Sequence, residues 1–184
     1  MDKAEALVLI AQEIEQCELC KQNTIGVAVP VEGNPNADVI FIGEAPGKQE
    51  AETGRPFIGR SGKLLRSLIR EVGLDDEKDV YITSPVKYLP VHVTPTPKEI
   101  AHGRTHLMKQ FAVIEPKLIV LLGSTAIQAV LEQKVPVMKE HGKIIEKDGK
   151  KYFLTIHPAA VLRNPPTRPV MLEDFKKLKA MLGN

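Results

Sequence analysis

Four short apolar runs alternate with longer amphipathic stretches along the chain. The runs cover residues 39–42, 80–83, 118–122 and 152–156, and each has the length of a buried strand. Between them apolar residues recur at helical spacing, as in 64–72. Because strands alternate with helices, the pattern predicts a three-layer α/β/α fold whose central sheet has four mostly parallel strands.

Capping and turn residues predict further boundaries. We expect helices over 4–17 and 172–182, and a helix that begins at Thr96-Pro97, where a capping hydroxyl precedes a proline. Asp148-Gly149 is a strong turn dipeptide and predicts a hairpin that leads into the last core strand. The remaining glycine- and proline-containing stretches, 23–38 and 89–97, are expected to be loops.

Composition and charge narrow the class of protein only slightly. The 184 residues are enough for a single domain, 1–184, with its own hydrophobic core. A formal net charge of +2 is too small to identify a partner. The sequence contains neither an apolar run of membrane-spanning length nor a signal-peptide pattern. We therefore expect a cytoplasmic monomer that has no membrane partner.

Three of the predicted strands end directly in polar or proline-containing turns. These turns are Gly43-Glu44, Ser84-Pro85 and His157-Pro158. In an open parallel sheet the carboxyl ends of the strands lie along one edge, where such sheets bind ligands. The pattern therefore predicts that Glu44, Ser84 and His157 are neighbours in the folded chain.

The glycine-rich loop after residue 42 carries the strongest candidate for chemistry. Glu44 at a strand end could act as a general base or stabilise a cation, although an exposed loop acid would give the same pattern. Glu50 and Glu52 are weaker candidates, because acids near a helix start often only complement the helix dipole.

Other candidates have equally ordinary interpretations. Phe57 could stack on a flat ligand or simply anchor its loop. His157 could hydrogen-bond a developing oxyanion, or it could be structural. Arg163 and Arg168 lie in a proline-rich segment and could bind phosphate or remain solvated.

The two cysteines form a Cys17-x-x-Cys20 pair and are too few for a disulfide framework. A redox pair, half of a metal site and structural thiols all remain open. His102 and His106 are separated by one helical turn, but the sequence does not place them near Cys17.

Several of these motifs together resemble one family. Residues 43–47, 54–65 and 157–164 are similar to motifs of the uracil-DNA glycosylase superfamily, and 80–87 and 94–100 fit as well. The similarity is greatest to the family 4, iron–sulfur type. It runs from Cys17 to about Asn164 and therefore covers nearly the whole chain.

The resemblance implies a DNA-repair enzyme that hydrolyses the N-glycosidic bond of uracil, or of a related deaminated base, after the nucleotide has been flipped out of DNA. Glu44 would stabilise the sugar cation or position water, Glu50 would be a second acid, and His157 would donate a hydrogen bond to the departing base. Gly43, Ala45, Phe57 and Ser84 would bind the base. The residues expected to contact DNA are Gly59, Arg60, Ser61, Ala159, Leu162 and Arg163.

The chain departs from the family pattern at two places. The family has a base-reading Asn where this chain has Ser84, and a hydroxyl cannot present the paired donor and acceptor of an amide. The family also binds a 4Fe–4S cluster through four cysteines, but Tyr88 and Gly103 occupy two of these positions. We therefore expect no cofactor, with Cys17 and Cys20 as an unoccupied remnant of the iron–sulfur site, unless two chains each contribute a cysteine pair to a cluster. Reduced thiols and a local zinc-type site with further ligands both remain open for the two cysteines.

These departures leave two rival interpretations. In one, a weak or inactive protein of the same fold binds damaged DNA without cleaving the glycosidic bond. In the other, a hydrolase acts on free nucleosides or nucleotides, and its binding to DNA would lack the steep salt dependence of phosphate contacts.

Overall fold

A computed structural model describes residues 1–183, so Asn184, the last residue of the expected domain, lies outside the described part. The helices are α1 (Lys3–Gln16), α2 (Glu18–Lys21), α3 (Lys48–Thr53), α4 (Arg60–Glu71), α5 (Pro97–Ile114), α6 (Gly123–Leu131), α7 (Val137–Glu140), α8 (Pro158–Arg163) and α9 (Arg168–Leu182). The strands are β1 (Thr24–Ile25), β2 (Glu32–Gly33), β3 (Val39–Ile42), β4 (Val80–Thr83), β5 (Leu89–Pro90), β6 (Leu118–Leu122), β7 (Ile144–Lys147) and β8 (Lys150–Thr155).

The main sheet has the strand order β2-β4-β3-β6-β8-β7. Its four central strands are parallel, with Phe41 of β3 opposite Ile82 of β4 and Val120 of β6. The predicted parallel core is confirmed, and the sheet gains an antiparallel strand at each edge, β2 and β7.

The sheet is buried on both faces, which explains the unbroken apolar runs. Successive side chains of each strand point to opposite faces. Ile40 and Tyr81 pack in a cluster that also contains apolar residues of α1, α5 and α6. Phe41 and Ile82 pack in a second cluster with residues of α4 and α9. The predicted three-layer α/β/α arrangement is therefore confirmed.

Element boundaries differ from the sequence expectation where the strands are very short. The expected loops contain β1, which pairs with β5, and β2, which pairs with β4. Strands of two residues show no hydrophobic period, so the pattern of the sequence could not reveal them. Helix α9 begins at Arg168 rather than at 172, because Pro169 lies in its first turn, where a proline is tolerated.

The predicted hairpin is confirmed between β7 and β8. Asp148 and Gly149 form its two-residue turn with φ values of +52° and +72°. Positive φ at both positions is what the tightest hairpin turn requires. Within residues 1–183, no helix combines the length and the apolar character needed to cross a membrane.

Candidate active site at the strand ends

The carboxyl ends of β3, β4 and β8 open into one cavity of about 690 Å³, which we call the strand-end cavity. Glu44, Ser84 and His157 all line it, as the topology predicted. Among the other predicted site residues, the cavity is lined by Ala45, Glu50, Phe57, Gly59, Arg60, Ser61, Ala159 and Leu162. Arg163 lines an adjoining depression that it shares with Glu44 and His157.

The ring of Phe57 packs directly against Gly43. A Cβ atom on Gly43 would be only 2.4 Å from the Phe57 ring, so the close approach requires glycine. Phe57 itself has a φ of +52°, which is costly for a bulky residue and is often retained where function needs it. Its ring centroid lies 6.0 Å from that of His157, with the planes tilted by 35°.

A buried arginine holds the backbone of this strained loop. Arg66 of α4 donates from Nε to the carbonyl of Phe57 and from Nη2 to that of Pro56, both at 3.0 Å. The same guanidinium pairs with Glu32 at 2.8 Å and with Asp76 at 3.3 Å. In the sequence Arg66 is only one polar residue of an amphipathic helix. Its contacts with the carbonyls of Pro56 and Phe57 could therefore not be predicted.

Glu50 is buried and accepts two hydrogen bonds from the backbone. The amides of Ile58 and Gly59 donate to its Oε1 at 2.9 Å and 2.7 Å. The carboxylate thereby joins α3 to the segment that leads into α4. These contacts give Glu50 a positioning role in the structure.

Glu44 is oriented by a residue of the helix that follows the neighbouring strand β6. The hydroxyl of Thr125 donates to Glu44 Oε2 at 2.5 Å. Thr125 lies in the first turn of α6, immediately after β6, and therefore at the same edge of the sheet as the other strand ends. Thr125 was not among the predicted site residues, although Gly123-Ser124-Thr125 directly follows the apolar run 118–122 in the same way as the other polar turns follow their strands.

The environment of His157 defines its protonation state. Burial, and to a lesser extent the charge of Arg163, lowers the pKa of His157 to about 4. The imidazole is therefore neutral at physiological pH. Because the amide of Ala159 donates to Nδ1 at 3.1 Å, the proton of the neutral ring lies on Nε2.

Ser84 is buried, and its hydroxyl donates to the carbonyl of Val86 at 2.7 Å. Since a hydroxyl has a single proton, Ser84 can offer only lone pairs to a ligand while this bond persists.

Two further surfaces surround the opening of the cavity. Arg60 and Ser61 lie in the first turn of α4, while Ala159 and Leu162 lie on α8. The exposed apolar side chains of Ile25, Val91 and Val93 complete the wall. These three residues were missed because they lie in or next to β1 and β5, which were expected to be loops.

Arg168, considered above for phosphate binding, instead pairs with Glu71 at 2.6 Å.

A second constellation lies away from the strand-end cavity. Cys17, Cys20, His102 and His106 have ligand atoms that all lie within 4.8 Å of one another and could hold a metal ion. We call this group the Cys–His cluster. Burial, followed by the neighbouring Cys17, raises the pKa of the Cys20 thiol to about 12, which disfavours a reactive redox pair. The sequence did not connect the two histidines with the cysteines.

The parallel sheet, the cavity at its strand ends and the polar residues that converge there define a ligand-binding α/β protein of the open-sheet class. The family model described as the uracil DNA glycosylase superfamily matches residues 30–179. The chain therefore belongs to the uracil-DNA glycosylase superfamily.

Individual relatives agree with this assignment. A Type-4 uracil-DNA glycosylase of Thermotoga maritima is 39% identical over 98% of this chain and 96% of its own length. The Type-4 uracil-DNA glycosylase of Saccharolobus solfataricus is 41% identical over 97% of this chain and 87% of its own. A DNA polymerase of Bacillus phage SP01 is 34% identical over 82% of this chain, which corresponds to 16% of that protein.

Proposed function

We propose that this protein is a DNA-repair glycosylase that hydrolyses the N-glycosidic bond of uracil, or of a related deaminated base, flipped out of DNA. The observation that carries the proposal is the placement of Glu44 and His157 in one cavity, with the ring of Phe57 beside His157. A cavity of this kind can receive an extrahelical base, and enzymes that act on a base within duplex DNA must first extrude it.

Phe57 would form the stacking surface for the flipped base. Stacking of a base on an aromatic ring contributes roughly 1–3 kcal/mol and tolerates any base, so it supports binding without selecting uracil. Arg66, through the carbonyls of Pro56 and Phe57, would keep that ring in place.

The reaction breaks the bond between the sugar C1′ and the base nitrogen, and the bonding electron pair leaves with the base. The sugar becomes cationic while negative charge develops on the base oxygens. Glu44 would stabilise the cation and orient the water that attacks C1′. The water supplies a hydroxyl group to the sugar, and its remaining proton neutralises the departing base.

His157 would act on the developing negative charge. As a neutral ring protonated on Nε2, it would donate a hydrogen bond to the base oxygen that gains charge. A donor placed at such a position typically contributes about 3–4 kcal/mol to lowering the barrier. No proton transfer from His157 is needed for this effect.

Ser84 would read the base through its lone pairs. Its Oγ can accept a hydrogen bond from the N3–H of uracil, because its own proton is donated to Val86. Cytosine presents a lone pair at the same position and would be repelled. The uracil O4 would gain no donor from Ser84, so discrimination at that oxygen would be weaker than with an amide side chain.

DNA would be bound around the opening of the cavity. The first turn of α4, with Arg60 and Ser61, offers backbone amides and a cation to a phosphate. The Ala159–Arg163 segment of α8 would enter the minor groove and fill the gap left by the flipped nucleotide.

The second candidate is a damage-binding protein of the same fold without glycosylase activity, and Ser84 is the observation that favours it. Abasic-site formation on oligonucleotides with uracil, hypoxanthine or xanthine distinguishes the two, with a Ser84→Asn variant assayed in parallel. We expect product from uracil with the parental protein. Product from the Ser84→Asn variant alone would identify Ser84 as a specificity switch. No product from either protein would favour damage binding without cleavage.

A further inference from the structure

The Cys–His cluster joins two parts of the chain that are distant in sequence. Cys17 lies between α1 and α2, Cys20 lies in α2, and both histidines lie on α5. Because His102 and His106 are four residues apart, they share one face of that helix. The Cys17 Sγ and His102 Nε2 atoms are 3.1 Å apart.

We propose that Cys17, Cys20, His102 and His106 bind a single zinc ion that fastens the α1–α2 segment to α5. The donor set is two thiols and two imidazoles, with spacings of C-x₂-C and H-x₃-H. Both the donor set and the spacings are those of structural zinc sites. Bonds of 2.0–2.3 Å to a tetrahedral zinc would put neighbouring ligand atoms about 3.3–3.8 Å apart. The four ligand atoms all lie within 4.8 Å of one another, so zinc binding would draw the widest pair together by up to about 1 Å.

His106 provides an independent indication that a ligand belongs here. Its side chain is only 3% exposed, yet neither ring nitrogen makes a hydrogen bond to any of residues 1–183. Buried polar groups are almost always satisfied, so a pair of unsatisfied nitrogens requires an explanation. A metal ion bound at Nε2 supplies one.

The other nitrogen of His106 faces a carboxylate. Nδ1 lies 3.4 Å from Oε1 of Glu13, which also pairs with Lys109. Metal-bound histidines commonly donate their second N–H to a carboxylate, which fixes the orientation of the ring. A small adjustment would convert the Glu13 contact into such a bond.

A four-thiolate iron–sulfur cluster does not fit the residues of this chain. The sequence has only two cysteines. A Cβ atom at Gly103 would lie 2.0 Å from the carbonyl oxygen of Pro85, so a cysteine could not be placed there without backbone movement. Tyr88, at the other position, is 5% exposed and packed in the core beside Cys20.

A two-iron centre with mixed ligands does not fit either. In such centres the two histidines bind one iron and the two cysteines bind the other. The short separation of Cys17 Sγ and His102 Nε2 instead suits two ligands of the same ion. The expectation of an empty iron–sulfur remnant was made without a way to place His102 and His106 near the cysteines, and these two histidines complete the donor set.

The zinc site would also help to hold one wall of the strand-end cavity in place, although it lies away from that cavity. Strand β1 follows Cys20 closely and pairs with β5, and both strands contribute to the wall of the strand-end cavity. Anchoring Cys20 would therefore restrain that wall. The metal proposal itself does not depend on glycosylase activity, because its test requires no DNA.

The test is the metal content of the full chain, purified without a polyhistidine tag, together with spectroscopy of a cobalt-substituted sample. We expect about one zinc per chain without acid-labile sulfide. Co²⁺ added to the chelator-stripped protein should give the intense visible absorption of tetrahedral cobalt with thiolate ligands, and Zn²⁺ should abolish that absorption. These measurements decide the proposal on the parental protein, even if ligand variants fold poorly.

Variants identify the ligands. His102→Ala and His106→Ala should each weaken zinc binding by at least about 100-fold, whereas the control His92→Ala, an exposed histidine paired with Glu99, should bind as the parent does. Four results would overturn the proposal: substoichiometric zinc without a cobalt spectrum, a stoichiometric amount of iron with sulfide, unchanged zinc affinity in both ligand variants, or an equal loss in His92→Ala.

Discussion

The backbone amide of Ala159 donates a hydrogen bond to Nδ1 of His157 at 3.1 Å, across the first turn of α8. This bond assigns the single proton of the neutral ring to Nε2. His157 can therefore donate a hydrogen bond from Nε2 in the cavity that it shares with Glu44.

The pKa of His157 predicts a specific dependence of stability on pH. Burial lowers this pKa to about 4 in the folded protein, from 6.5 in a free side chain. Between these values the unfolded chain binds a proton that the folded protein does not, so the free energy of unfolding should fall as the pH drops from about 6.5 to 4. Denaturant unfolding of the parent and of His157→Gln over this range measures the effect. A pH dependence of equal steepness in the variant would contradict the assignment.

Arg66 should be required for the shape of the loop that carries Phe57. In Arg66→Ala the carbonyls of Pro56 and Phe57 lose their donor, and Glu32 and Asp76 each lose a cation. We expect a loss of about 3 kcal/mol, the lower end for a broken buried pair, because Glu32 keeps Arg55 and Asp76 keeps Arg70. Chemical denaturation measures this loss, and an increased KM for uracil-containing DNA should accompany it.

Arg70→Ala is the matched control for Arg66→Ala. Arg70 pairs with the same Asp76 at 2.8 Å, but its side chain is 56% exposed. We expect it to cost less than about 1 kcal/mol, as exposed pairs do, and to leave KM unchanged. Equal effects of the two variants would mean that Arg66 acts only through its charge.

The activity of Glu50 variants should depend on whether the new side chain can still accept hydrogen bonds from the backbone. Glu50→Gln retains an oxygen that can accept from the amides of Ile58 and Gly59, so most activity should remain, whereas Glu50→Ala should lose it together with loop order. Single-turnover rates of the two Glu50 variants test this. If Glu50→Gln is as inactive as Glu50→Ala, then Glu50 takes part in the chemistry as an acid, as the family resemblance implies.

The sheet and the principal site residues could be predicted because their signals are local or topological. The apolar runs identify the four central strands, and parallel topology places Glu44, Ser84 and His157 at one edge. The edge strand β7 could also be predicted, as one arm of the hairpin around Asp148-Gly149. The other edge strand, β2, differs in this respect, because a two-residue strand is defined by its partner and not by its own pattern.

The parts that were missed depend on contacts between distant residues. Cys17 and His102 are 85 positions apart, and no spacing rule connects a cysteine pair with histidines on a remote helix. Arg66 is similar, because its role depends on a loop whose backbone bends back towards α4. Only the packing of α1 and α2 against α5 brings the residues of the Cys–His cluster together.

The most direct measurement of the central claim is the single-turnover rate of abasic-site formation on a uracil-containing oligonucleotide, for the parental protein and for Glu44→Gln, with DNA binding measured in parallel. The account predicts product with the parent, a rate reduced by at least about 100-fold in Glu44→Gln, and similar DNA affinity for both. Cleavage by Glu44→Gln at the parental rate, or no product from the parent despite tight binding, would contradict it.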